Sequence, residues 1–318
     1  MSQLLATDTP IRHFLSVDDL QPDELIALLD LADELKAERL SATGPGPLAG
    51  RSVALLFEKP SLRTRVSFEV GVAELGGTPI VLSGGEIGIG ARESVADIAR
   101  VLSGYVHAVV LRTFGHGRLE ELAEAGSVPV VNALSDLTHP CQALADLQTI
   151  REYKGELRGL KLAYLGDGNN VAHSLLKAGA MSGMHVAVAT PPGYEPDGQI
   201  VDEATELAAE SGGRVSVTTE VGTALTDADV LYTDVWASMG QEDEAAERAA
   251  VFAPFQLNAA AVDAARPDAI VMHCLPAHRE EEITAEVLES QASVVFTQAE
   301  NRLHAQKALL CVLLTDRG

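Results

Sequence analysis

Val53-Ala54-Leu55-Leu56-Phe57-Glu58-Lys59-Pro60-Ser61-Leu62-Arg63-Thr64-Arg65 reads as a buried strand that turns into a helix. Five apolar residues without polar alternation suit a strand covered on both faces, the mark of a parallel sheet under helices. Beyond the Lys59-Pro60 break, Leu62, Val66, Val70 and Ala73 recur on one helical face, with Ser61 placed to be the N-cap. In open α/β sheets a ligand lies beyond the carboxyl ends of the strands, where loops become helices, so this turn is a place to look for chemistry.

The same alternation extends in both directions. A first series of strand candidates is Val53–Phe57, Pro79–Leu82, Ala108–Leu111 and Val128–Val131; a second is Leu160–Leu165, Val186–Ala189, Val215–Val217, Val230–Thr233, Ile270–His273 and Val294–Phe296. Between them Pro140–Glu152 reads as a linking helix. A helix over Pro22–Arg39 precedes a Gly/Pro-rich loop (Thr43–Gly50), and a last helix covers Glu300–Leu314. The expected fold is α/β, with two domains that are each a mainly parallel sheet flanked by helices. The division falls at residues 1–148 and 149–299, and residues 300–318 pack back on the first domain.

A chain of 318 residues is long for a single core, which agrees with two domains. The formal charge of −23 comes from acidic residues spread along helical segments, a solvated and self-repelling surface. Nucleic acid demands a basic face and is not an expected partner. No apolar run is long enough to cross a bilayer, and Met1–Pro10 lacks a basic start followed by an apolar run, so the expected location is cytoplasmic. Cys141, Cys274 and Cys311 are few, distant and without CxxC spacing, which argues against a disulfide framework or zinc cluster. An anionic ligand would need arginines gathered locally against the overall field.

Free backbone N–H groups at the Ser61 turn, the helix dipole, the Thr64 hydroxyl and an arginine fork together suit a phosphate. The plainer alternative is a capped surface helix with Arg65 paired to Glu69 one turn on. For Arg65 that pairing is preferred; Arg63 is open to either. His139-Pro140-Cys141-Gln142 opens the linking helix with proline where a helix tolerates it, and His139 alone reads as an ordinary cap or core histidine. Gly166-Asp167-Gly168-Asn169-Asn170 invites a dinucleotide reading, but Val171 stands where the third glycine belongs and no acidic residue follows the next strand. Its asparagines suit an amino-acid ligand or a simple turn. In Asp234-Val235-Trp236-Ala237-Ser238-Met239-Gly240, Trp236 reads as a packed loop anchor. In His273-Cys274-Leu275-Pro276-Ala277-His278-Arg279, the thiol suggests a nucleophile. Neighbours on a strand face opposite ways, however, so His273 is badly placed to activate it, and an inert buried cysteine stays open.

The segments SLRTR (61–65), HPCQ (139–142), DVWASMG (234–240), HCLPAHR (273–279) and AENRLHAQKA (299–308) occur in the order and spacing of the ornithine carbamoyltransferases. Each is modest alone; the five together are specific, and the chain resembles a close member of that family from its first helix to its last. The resemblance implies two α/β domains with the active site in the cleft between them, assembled as a homotrimer or a multiple of trimers, acting in arginine biosynthesis without cofactor or metal. It implies carbamoyl phosphate held by Ser61, Leu62, Arg63, Thr64, Arg112, His139, Gln142, Cys274, Leu275 and Arg302, of which Arg112, His139, Cys274 and Arg302 are catalytic. L-Ornithine is then gripped by Asn170, Asp234, Ser238 and Met239. The implied reaction is direct attack of the neutral δ-amine on the carbamoyl carbon.

Three positions depart from the family pattern. Leu62 stands where many members carry threonine, Glu86 lies near a glutamine offered to a neighbouring subunit and receives no role, and Glu280 replaces a common glycine. Competing functions are a Cys274-dependent hydrolase, which predicts a trappable acyl-enzyme, and an amino-acid-binding regulatory protein on the same fold. Within the family the alternative acceptors are aspartate, putrescine and N-acetylornithine.

Overall fold

The computed structural model describes residues 12–41, 44–89, 92–237 and 244–315. Its first half runs α1 (Pro22–Ala37), β1 (Ser52–Phe57), α2 (Leu62–Glu74), β2 (Thr78–Ser83), α3 (Gly84–Ile87), α4 (Val95–Ser103), β3 (Ala108–Arg112), α5 (Gly117–Ala125), β4 (Val130–Leu134) and α6 (Pro140–Lys154). The second half runs β5 (Lys161–Leu165), α7 (Asn170–Met181), β6 (His185–Ala189), α8 (Gly198–Ser211), β7 (Arg214–Thr218), α9 (Val221–Leu225), β8 (Val230–Thr233), α10 (Ala245–Phe252), α11 (Ala259–Asp263), β9 (Ile270–His273), α12 (Ala285–Leu288) and α13 (Val295–Thr315). The strands form a four-stranded sheet, β2-β1-β3-β4, and a five-stranded sheet, β7-β6-β5-β8-β9. All pairings between these strands are parallel. These are two parallel-sheet α/β domains flanked by helices, as expected.

Apolar residues of α6, α7 and α13, among them Leu144, Leu147, Leu176, Ala305 and Leu309, belong to one continuous core that also receives β1 and β5. Helix α13 packs on α1, α2 and α6. Because α6 is buried on nearly every side, its polar residues Gln142, Asp146, Gln148 and Thr149 must find internal partners. Each does, and the Gln142 and Asp146 bonds shape the site described below.

Two strand expectations are corrected. The strand expected at Val128–Val131 is β4, Val130–Leu134. Pro129 has no N–H to give, so it contributes only its carbonyl, to Val109, and regular pairing starts after it. Val294–Phe296 is not a strand. Pairing there is a single bridge, Val271 to Ser293, and the chain then coils into α13, whose first residues bury Val295 and leave Phe296 64% exposed. A short apolar run fits a strand or a buried helix start equally well, and only the contacts of β9 separate them. Helix α13 is accordingly longer than Glu300–Leu314, and α1 ends at Ala37, before Arg39.

His304 in α13 is fully buried, and among the described residues neither ring nitrogen has a hydrogen-bond partner; Glu300 Oε1 stands 3.8 Å from Nε2. Burial, then Lys307, lowers its pKa to about 4 from an ordinary 6.5. The unfolded chain therefore takes up a proton here at a higher pH than the folded one, so stability is full above about 6.5 and is lost as pH falls toward 4. His304→Leu is expected to recover about 2 kcal/mol at about pH 4.5 relative to its effect at about pH 7.5. Urea unfolding at the two pH values measures this, and an equal effect at both would remove His304 from the acid response.

Candidate active site

Each sheet reverses its winding direction once, and the two reversals face one another. In the first sheet the chain passes from β1 to β2 on one side and returns to β3 on the other, so the carboxyl ends Phe57 and Arg112 lie side by side. In the second it passes outward through β5, β6 and β7, then returns to β8, so Leu165 lies beside Thr233. Ligands of such sheets bind at these switch points. Here both open onto one cleft of about 890 Å³, lined by Ser61–Thr64, Arg112 and His139 from the first half and by Asn169, Asn170, Asp234, Cys274 and Leu275 from the second.

The first wall is cationic. Ser61 occupies the N-cap of α2, but its side chain makes no capping hydrogen bond, contrary to the simplest expectation, so the helix start is not closed by its own serine. Arg65 turns away and stands 3.5 Å from Glu69, the surface ion pair preferred for it, and Leu62 is 75% exposed at the rim. Thr64 is buried and its Oγ1 accepts from Arg302 Nη2 at 3.0 Å, while Arg302 Nη1 donates to Gln142 Oε1 at 2.7 Å. Arg112 leaves the end of β3 nearly buried; desolvation first, then Arg302 and Arg63, lower its pKa to about 10. It stays charged at neutrality. His139 is pushed well below the ordinary imidazole range by burial and by Arg302, Arg112 and Arg63, so it is neutral and able to donate one N–H. Cations brought together at such a cost form an anion site, and a neutral donor beside them suits a carbonyl oxygen that gains charge.

The opposite wall is acidic and amide-rich. Asp234 is buried just beyond β8; its Oδ1 accepts from Cys274 Sγ at 2.9 Å and its Oδ2 from Asn169 Nδ2 at 2.9 Å. Burial, then Asp234, pushes the Cys274 thiol well above its ordinary range. It is therefore a hydrogen-bond donor to Asp234 and not a thiolate. His273 Nδ1 accepts from Leu275 N at 2.8 Å, which leaves its Nε2–H for Glu282 Oε1 at 2.9 Å. The nucleophilic-cysteine alternative fails on these contacts. Asp234, His273 and Cys274 also offer three ligand atoms within 4.8 Å of one another. With the thiol protonated and donating to Asp234, and both imidazole nitrogens engaged by Leu275 and Glu282, the three do not form an open ligand set.

The glycine turn after β5 serves packing and not a dinucleotide. A Cβ on Gly168 would lie 2.2 Å from Pro196 N, so glycine is required by the passing backbone of Tyr194–Pro196. Asn169 caps α7, accepting from Val171 N and Ala172 N, which occupies the N–H groups that a pyrophosphate would use.

Residues 12–152 match the family described as aspartate/ornithine carbamoyltransferase, carbamoyl-P binding domain, and residues 158–313 match its Asp/Orn binding domain. The chain belongs to the aspartate/ornithine carbamoyltransferase family. The ornithine carbamoyltransferase of Parafrankia sp. (strain EAN1pec) is 62% identical over 306 residues, 96% of each chain. That of Acidothermus cellulolyticus is 60% identical over 309 residues, covering 97% of this chain and 98% of the relative. The solved structure of ornithine carbamoyltransferase from Pyrococcus furiosus, 50% identical, superposes with a TM-score of 0.93 over 96% of this chain and 98% of that one.

On this carbamoyltransferase scaffold the sequence-derived residues Ser61, Leu62, Arg63, Thr64, Arg112, His139, Asn170, Asp234, Cys274, Leu275 and Arg302 all line the one cleft. Gln142 lies directly behind Arg302. Ser238 and Met239 lie outside the described residues. Asn170 has its Nδ2 committed to Ser135 O at 2.6 Å, leaving the amide oxygen for other contacts, and it is Asn169 that reaches Asp234. Glu280 adopts φ +70, the left-handed conformation that its family's glycine takes without strain. Its backbone N–H to Ile283 O and its Oε1 from Ala285 N hold it there.

Several members of the site were not anticipated from sequence. Arg248 bridges Asp167, Glu244 and the carbonyl of Trp236, and Trp236 stacks on Phe252 as the anchor expected. Burial carries Asp167 up to about 6 despite that arginine. Arg248 lies in an acidic stretch where a lone arginine carries no motif. His173 and Ser174 of α7 bond to Leu137 O and His139 N and, with the expected Asn170 on Ser135 O, stitch the His139 loop to the second domain. For His173 and Ser174 the only signal in the sequence was polarity within an otherwise apolar helix.

Proposed function

We propose that the chain transfers the carbamoyl group of carbamoyl phosphate to the δ-amine of L-ornithine, giving L-citrulline and phosphate. The observation that carries this is the meeting of an arginine wall, Arg63, Arg112 and Arg302, with the Asp234–Cys274 pair across one cleft. The names of the relatives agree with it. In this reading Ser61, Arg63 and Thr64, with the backbone at Leu62, hold the phosphate, and Arg112 spans phosphate and carbonyl. His139, Gln142 and Arg302 take the carbamoyl group. Asn170, Asp234, Ser238 and Met239 hold the amino acid, and Cys274 with the Leu275 carbonyl orients the amine.

The amine lone pair forms the new C–N bond, the carbonyl oxygen takes negative charge in the tetrahedral intermediate, and the C–O bond to phosphate breaks with its electron pair leaving on phosphate. The amine's surplus proton is released. Preorganised cations and the neutral His139 donor stabilise charge where it develops, the largest catalytic contribution in such reactions. Holding both substrates face to face supplies much of the rest. We assign residues 1–148 to carbamoyl phosphate and 149–299 to ornithine, with the last helix returning to the first domain. The assembly is a homotrimer or a multiple of trimers, cytoplasmic, and its citrulline feeds arginine biosynthesis.

Measuring kcat/KM for L-ornithine, aspartate, putrescine and N-acetylornithine at saturating carbamoyl phosphate tests the acceptor. Ornithine is expected to lead by about a hundredfold or more, because each rival leaves a buried polar group unpaired or adds a carboxylate beside Asp234. A rival equal to ornithine would overturn the acceptor and leave carbamoyl transfer standing.

A further inference from the structure

We propose that Asp146 is a positioning residue that sets both halves of the site at once, by dictating which way the side-chain amides of Gln142 and Gln298 face. The inference rests on the carbamoyl-transfer reading above. Asp146 is fully buried in α6 and does not line the cleft. Its Oδ1 accepts from Gln142 Nε2 at 2.8 Å and from Gln298 Nε2 at 2.7 Å, and its Oδ2 accepts from the Tyr232 hydroxyl at 3.1 Å. A carboxylate accepts on both oxygens; burial raises this one's pKa to about 7, and the donated hydrogen bonds of Gln142, Gln298 and Tyr232 work against that rise in favour of the charged form.

A glutamine that must give its N–H to Asp146 has to point its oxygen the other way. Gln142 Oε1 thereby receives Arg302 Nη1 at 2.7 Å, and the same guanidinium reaches Thr64 at 3.0 Å. Gln298 Oε1 receives the backbone N–H of His273 at 2.9 Å, one residue before Cys274. Tyr232 stands on β8 two residues before Asp234 and also accepts from Gln298 Nε2 at 3.0 Å. One carboxylate thus connects the arginine wall with the ends of both strands that carry Asp234 and Cys274.

Asp146→Asn preserves shape but turns one acceptor into a donor. Either the amide oxygen takes the place of Oδ1 and the new NH2 meets the Tyr232 hydroxyl, whose proton must turn away, or the NH2 takes that place and the glutamine amides must flip toward Arg302 and the His273 N–H; each outcome disturbs a hydrogen bond that helps to fix the site. The expected result is a fall in kcat of roughly 10- to 100-fold, with little change in KM for either substrate. The loss should be partly non-additive with that of Gln142→Met, since one of the two amides that Asp146 holds is that of Gln142. Tyr232→Phe, which removes a single donor and keeps the packing, is expected to lower kcat about threefold and covers the case in which Asp146→Asn does not fold.

A folded Asp146→Asn enzyme within about twofold of the parent in kcat, or a loss that simply multiplies with that of Gln142→Met, would overturn the inference. So would unchanged turnover in Tyr232→Phe. A crystal structure of Asp146→Asn gives a readout free of activity: loss of the Arg302–Gln142 or His273–Gln298 bond supports the inference, and both bonds unmoved refutes it. A parent enzyme that forms no citrulline would instead sink the carbamoyl-transfer reading, and the crystal structure would still decide the role of Asp146.

Discussion

Arg302→Met is expected to lower kcat by roughly 10²- to 10³-fold without unfolding the protein. The guanidinium is 2% exposed and donates to Gln142 Oε1 and Thr64 Oγ1, and its charge helps to depress the pKa of Arg112 and His139. Methionine retains the apolar stem that packs in α13, so the loss falls on the charge and the fork of donors. That charge has its largest effect as the carbonyl oxygen becomes anionic, which places the deficit in kcat more than in KM. Steady-state kinetics with a thermal melt measures both effects. A folded Arg302→Met enzyme with near-parental turnover would remove Arg302 from the catalytic group.

Asp234→Asn is expected to lower kcat/KM for ornithine about a hundredfold while the affinity for carbamoyl phosphate changes little. The carboxylate takes the Cys274 thiol on one oxygen and Asn169 on the other, and it is the group to which the proposed site assigns the amino-acid ammonium. Replacing it by a neutral amide removes the attraction and forces an amide N–H against one of those two donors. A second readout is chemical. Burial and Asp234 together hold the Cys274 thiol well above its ordinary range, so without that negative charge the thiol should ionise at lower pH and alkylate faster at a given pH. Unchanged alkylation together with unchanged kcat/KM would show that Asp234 touches neither partner in solution.

The motif turns were legible because each is a local object. Val53–Phe57 followed by Ser61–Arg65, and Leu160–Leu165 followed by Gly166–Asn170, announce a strand, a turn and a helix within a dozen residues, through apolar spacing and turn residues. The strand expected at Val294–Phe296 failed because the local signal is degenerate: Val294 and Val295 suit a strand as well as a buried helix start. Arg248, Asp146 and Gln298 carried no pattern at all, since their meaning lies in partners distant in sequence.

By itself the sequence determined the alternation of strands and helices, the parallel α/β class, the turns that end in function and the family to which those turns belong. These follow from side-chain periodicity and backbone preference over a few residues. Only the tertiary structure decided that Arg63, Arg112 and Arg302 converge, that the Cys274 thiol donates a hydrogen bond to Asp234 instead of acting as a nucleophile, and that Asp146 holds two glutamines in opposite senses. The physical reason is separation along the chain. Arg302 and Thr64 are 238 residues apart, and the cost and direction of burying such groups together depend on the field and hydrogen-bond geometry of the folded interior, which no local stretch of sequence contains.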